Sequence, residues 1–76
     1  MEKMLLEKIN IVLANRDRKQ ITFISNTLKL REDIGFDSFD LAELTVRLEE
    51  ESGTDIFAEG IVSTVGEVLS KLERNA

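Results

Sequence analysis

The sequence predicts an all-α fold: a four-helix bundle of three main helices and one short one, with a long loop between helices one and two. Three observations predict it. Apolar residues recur at helical spacing in three separate segments, capping patterns precede the second and third of them, and no two strand-like runs exist to pair. At 76 residues there is room for one domain, residues 1–76, packed as an antiparallel bundle.

The first helix runs from Glu2 to about Asn15, with Leu5, Leu6, Ile9, Val12 and Leu13 on its apolar stripe and Glu7, Lys8 and Asn10 off it. Arg16, Arg18 and Lys19 follow where it stops and complement its negative end. Residues 16 to 36 carry apolar anchors (Ile21, Phe23, Ile24, Leu28, Leu30 and Ile34) without a sustained helical stripe, which fits an ordered loop with at most a helical turn. Ile21-Thr22-Phe23-Ile24 has strand propensity but no partner strand.

The second helix runs from Ser38 to about Ser52, with Gly53 as its stop. Asp37 is the N-cap, and Phe36 before it can staple onto Leu41. Leu41, Leu44, Thr45 and Leu48 form the core stripe; Phe39, Glu43, Val46 and Glu50 share the opposite face, which mixes acid with exposed apolar surface. Between Asp55 and Ile61 a single helical turn is expected, because Gly60 opposes anything longer. Thr64 with Glu67 makes a capping box, Ser63 being the competing cap, and Val65, Val68, Leu69 and Leu72 carry the last helix to near Arg74.

Composition narrows the function. Fifteen acidic residues against ten basic ones give a net charge of −5, which opposes a nucleic-acid surface or an anionic membrane. The basic cluster at residues 16–19 does not reverse this, since Asp17 interrupts it. An exposed acidic face favours a monomer. With no cysteine there is neither a disulfide nor a thiolate metal site, and with no histidine the commonest general base is missing. Met1-Glu2-Lys3-Met4 does not open a signal peptide, and no apolar run approaches the roughly 20 residues that span a bilayer, so a cytoplasmic protein is expected. An EF-hand on Asp33, Asp37 and Asp40 fails, because its third, sixth and twelfth places hold Gly35, Ser38 and Leu44. No metal site is expected.

Ser38 is the residue with a chemical future. It cannot serve as a catalytic nucleophile unaided, because no histidine or lysine in the surrounding motif can take its proton and its carboxylate neighbours are weak bases with caps to make. As a substrate it is well placed. At the first helical position a phosphate on its oxygen would meet unpaired amides and the positive end of the helix.

The stretch Leu30-Arg31-Glu32-Asp33-Ile34-Gly35-Phe36-Asp37-Ser38-Phe39-Asp40-Leu41-Ala42-Glu43-Leu44 resembles the motif of the acyl carrier protein family. The likeness continues through Leu48-Glu49-Glu50-Glu51 and Ser63-Thr64-Val65-Gly66-Glu67-Val68, so it covers the chain from about residue 28 to 72. The resemblance implies the acyl-carrier-like four-helix bundle and a 4′-phosphopantetheine arm on Ser38, whose thiol would hold acyl groups as thioesters. It implies a phosphopantetheinyl transferase and acyl-loading and acyl-transfer enzymes as partners, with the chain their substrate and not itself an enzyme. On the second helix Asp37, Asp40, Glu43, Glu49 and Glu50 would steer those partners, and Phe39 and Val46 would hold them.

Two departures suggest a specialised carrier in lipid, polysaccharide or secondary-metabolite assembly over the fatty-acid synthesis protein. Phe39 stands where the family usually has leucine, and Phe57-Ala58-Glu59 lies in a segment shorter than in fatty-acid carriers. An aminoacyl or D-alanyl carrier is compatible with the same motif, and a helical interaction module without a prosthetic group would keep the core stripes while leaving Ser38 unmodified.

Overall fold

In a computed structural model, which describes residues 1–74, the chain forms α1 (Glu2–Asn15), α2 (Ser38–Ser52) and α3 (Val65–Arg74). Each follows the periodicity that predicts it, except that Leu6 and Thr45, expected on the apolar stripes, are only half-buried. Leu5, Ile9, Val12 and Leu13 of α1, Leu41, Leu44 and Leu48 of α2, and Val65, Val68, Leu69 and Leu72 of α3 are buried in one core. Burial of each such side chain contributes roughly 1.5–3 kcal/mol. No strand occurs among the described residues, only an isolated bridge between Lys29 and Thr64.

Side chains fix the relative direction of α1 and α2. Lys8 pairs with Glu51 at 3.9 Å, Asn15 donates to Glu43 at 2.7 Å, and Arg16 lies 3.2 Å from Asp40. As the numbers rise on α1 they fall on α2, so these helices run antiparallel.

The end of α1 is a reversal that the sequence does not advertise. Asp17 takes φ +55, a left-handed conformation in which a short polar side chain is better tolerated than most. The amide of Asp17 donates to Ala14 O and that of Arg18 to Leu13 O, which is the hydrogen-bond pattern of a Schellman ending. The reversal sends Arg18 back along the bundle. α2 closes more conventionally, on Gly53 at φ +76.

The long loop is ordered because its polar backbone finds partners at both ends. Asn10 grips Ile21 twice, accepting from its amide at 2.8 Å and donating to its carbonyl at 2.9 Å. Farther on, Asn26 O and Leu28 O accept from the Gly66 and Val65 amides, two donors that the start of α3 leaves without helical partners. The Leu30 amide in turn donates to Ser63 O, and Leu30, Ile34 and Phe36 sink into the core. A single turn at residues 29–34, closed by two hydrogen bonds to Lys29 O, is the helical element of the loop.

The expected short helix is not formed as an element. Residues 56–59 make turns, with Ala58 donating to Asp55 O and Gly60 to Phe57 O, both at 3.2 Å. Gly53 and Gly60, both at positive φ, leave too few residues between them to propagate a helix, and the Asp55 side chain takes the Phe57 amide at 3.0 Å. Ile56 is nevertheless fully buried and anchors the segment. At the start of α3 the Thr64–Glu67 box is made: Glu67 Oε1 accepts from the Thr64 amide at 3.1 Å and Thr64 Oγ1 from the Glu67 amide at 3.2 Å.

Replacing Asn10 with alanine strands the amide and carbonyl of Ile21. Urea unfolding of Asn10→Ala is expected to show a loss of about 1–3 kcal/mol with an unchanged m-value.

Candidate functional site

The turn entering α2 is built around two aspartates that cap each other. Asp37 Oδ1 accepts from the Asp40 amide and Asp40 Oδ2 from the Asp37 amide, both at 2.9 Å. The Asp40 amide holds the Asp37 carboxyl below its ordinary value of 3.8. Asp40 itself is buried, and a buried carboxylate needs charge compensation. Arg16 Nε lies 3.2 Å from its Oδ1, which accepts no hydrogen bond, so the contact is one of charge without hydrogen-bond alignment. Arg18 Nη1 lies 3.8 Å from Oδ2.

Arg18 also binds the loop before the turn. Its Nη1 donates to Gly35 O at 2.7 Å and its Nη2 to Ile34 O at 2.8 Å. Gly35 is at φ +84, and a Cβ there would collide with Arg18 Nη2, so backbone conformation and the guanidinium both require glycine. The staple residues Phe36 and Leu41 are both buried in the core.

Ser38 stands at the first position of α2, exposed. Its Oγ is 3.5 Å from Arg31 Nη2, while the flanking carboxylates serve backbone amides, so no side-chain base is set against the hydroxyl. Beside it opens an apolar groove of about 370 Å³, walled by Leu41, Ala42, Thr45, Phe57, Ile61 and Val62 with Arg31 at its edge.

The structure divides the expected docking residues. Phe39 is 74% exposed and Val46 55%, and Asp37, Glu49 and Glu50 are exposed. Asp40 is a correction: the expectation that it faces partners does not hold, because it is 3% exposed and engaged by the cap and both arginines. Glu43 is half-buried and leans on α1: Asn15 Nδ2 and then Arg47 Nε hydrogen-bond its carboxylate and hold it below its ordinary value of 4.5. Arg47 pairs with Glu43, one turn before it on α2, at 2.9 Å. Asp33 accepts from the Lys29 amide at 2.8 Å, and among the described residues no group of acids is arranged to hold a metal ion.

Sequence reasoning missed the parts that four residues play. Ile61, 90% exposed, supplies part of the groove's apolar wall. Arg31 at the hydroxyl carries no local signal. Arg16 and Arg18 are visible as a basic cluster, but they reach Asp40 rather than merely following the negative end of α1.

Fold and turn together define a small helical domain that presents a serine at the start of its second helix. An acyl carrier protein of Saccharopolyspora erythraea is 38% identical to this chain over 69 residues, covering 88% of this chain and 73% of its own length. The chain belongs to the acyl carrier protein family. No family model matches the chain, and no solved structure does.

The lowered Asp37 carboxyl stabilises the fold fully above its ordinary value, and this contribution is lost as the pH falls through the lowered one. The urea midpoint is expected to hold near neutrality and fall below about pH 4, with a smaller acid loss in Asp37→Asn, which keeps a capping oxygen without the titration. Gly35→Ala is expected to cost about 1–3 kcal/mol. Because the alanine already displaces Arg18, adding Arg18→Ala should cost less in that background than in the parent, a difference a double-mutant cycle measures.

Proposed function

We propose that residues 1–76 form one carrier domain that bears a 4′-phosphopantetheine arm on Ser38 and presents acyl groups to the enzymes that load, modify and unload them. The observation that carries the reading is the exposed Ser38 hydroxyl with its neighbouring carboxylates committed to backbone amides. The chain supplies no base for that hydroxyl, so the partner must. In the transfer, Ser38 Oγ forms a bond to the β-phosphorus of coenzyme A, the pyrophosphate bond breaks, adenosine bisphosphate leaves, and the serine proton passes to a base of the transferase. Once bound, the arm supplies the thiol that this cysteine-free chain lacks, and with it the thioester.

The residues present fit such an arm. An accessible hydroxyl, a cation beside it and an apolar groove at its side suit a phosphodiester followed by a chain with few charges. Asp37, Glu49 and Glu50 would steer basic surfaces of partners, with Glu43 contributing less because Arg47 neutralises it. Phe39, Val46 and Ile61 would give apolar contact. Exposed ion pairs are worth only about 0.2–1 kcal/mol each, so docking is brief and salt-sensitive, as suits a shuttle between enzymes. Among the described residues no helix is long and apolar enough to cross a membrane. Phe39 and the shortened segment between Ile56 and Thr64 favour a specialised lipid, polysaccharide or secondary-metabolite pathway over fatty-acid synthesis; a D-alanyl or other aminoacyl load would use the same arm.

Incubation with coenzyme A and a broad-specificity phosphopantetheinyl transferase is expected to add one phosphopantetheine to the parent and none to Ser38→Ala, read by intact mass. A folded parent that gains nothing would instead be a helical interaction module without a prosthetic group.

A further inference from the structure

We propose that Arg31 is the counter-ion of the phosphodiester on Ser38, and that by pairing with it Arg31 turns the root of the arm toward the groove between α2 and residues 57–62. The inference rests on the carrier reading and assigns a positioning residue within it.

Arg31 is distinguished by what surrounds it. Arg16, Arg18, Arg47 and Arg74 each lie within ion-pair distance of a carboxylate, whereas Arg31 has no such partner among the described residues. The acids near it in sequence are occupied: Glu32 faces Lys29 at 4.0 Å, Asp33 accepts from the Lys29 amide, and Asp37 caps α2. Its contact is the Ser38 hydroxyl, 3.5 Å from Nη2, a weak hydrogen bond at best. A guanidinium next to an uncharged hydroxyl gains little. The same guanidinium next to a phosphodiester meets a single negative charge and acceptor oxygens suited to its fork of donors.

The backbone holds Arg31 for this role. Leu30 before it is fully buried and tied to Ser63 O, and the amides of Asp33 and Ile34 after it close on Lys29 O. Only the side chain has to be ordered when the anion arrives, which limits the entropic cost. Arg31 also borders the groove of Leu41, Thr45, Phe57, Ile61 and Val62. A pair formed on that side draws the first atoms of the arm toward apolar walls and away from the exposed ring of Phe39.

The test uses the full chain and three variants, Arg31→Gln, Arg31→Lys and Ser38→Ala, each treated with transferase and coenzyme A and checked by intact mass. Arg31 is exposed, so its variants should keep the parent unfolding midpoint. In the loaded parent the Arg31 Nε–H should exchange with water several-fold more slowly than in the unloaded parent and in Ser38→Ala. The phosphorus resonance should move in loaded Arg31→Gln relative to the loaded parent, move less in Arg31→Lys, and lose that difference in high salt. Loading without these changes, or changes indifferent to salt, would overturn the role of Arg31 and leave the carrier reading standing. Failure of the folded parent to load overturns both.

Discussion

The buried carboxylate of Asp40 is the constraint on which the rest of the structure depends. A charge at 3% exposure is tolerable only with compensation, and Asp40 draws it from three directions: the Asp37 amide, Arg16 at the end of α1, and Arg18 beyond it. Through Arg18 the same node reaches Ile34 O and Gly35 O. The end of the first helix, the end of the long loop and the start of the second helix are therefore bound together at one point. Both arginines remain partly solvated, which lets their charges stay hydrated while they neutralise a carboxylate that is not.

The node has a consequence for Ser38. For the proposed modification, a serine whose hydroxyl enters another protein's active site is best held by a backbone that does not need the hydroxyl itself. Here the cap and the arginine clamp hold the turn, and the serine oxygen makes only its 3.5 Å contact to Arg31 Nη2. Stability and presentation are assigned to neighbouring residues. The long loop extends the same economy: its carbonyls serve the unpartnered amides of α3, so one irregular segment is ordered by the need of another for hydrogen-bond partners.

Charge on the surface of α2 is more local than the acidic composition implies. Asp40 is withdrawn into the interior and Glu43 is tied to Asn15 and Arg47, so of the acids expected on this face Asp37, Glu49 and Glu50 are the exposed ones. Against this negative helix the guanidinium of Arg31, without a carboxylate partner among the described residues, stands beside the hydroxyl. An acidic helix face with a basic side chain beside its first residue is suited to separating the two electrostatic tasks of the proposed carrier.

Much of this was legible in the residues. The bounds of α1 and α2, the Asp37 cap, the Thr64–Glu67 box and the apolar stripes depend on groups within a turn or two of one another, and their spacing states them directly. Between Asp55 and Ile61 the single turn is formed, but it does not grow into a fourth helix, because Gly53 and Gly60 leave no room to propagate it. Asp40 was misplaced because an aspartate at the third helical position looks the same whether it faces water or two arginines from another segment. By itself, then, the sequence determined the helices, their caps and the serine that begins the second helix. Only the tertiary structure decided where Arg16, Arg18 and Arg31 direct their charge. The partner of a long flexible cation is whichever group packing brings within a few ångströms, a distance that spacing along the chain does not contain.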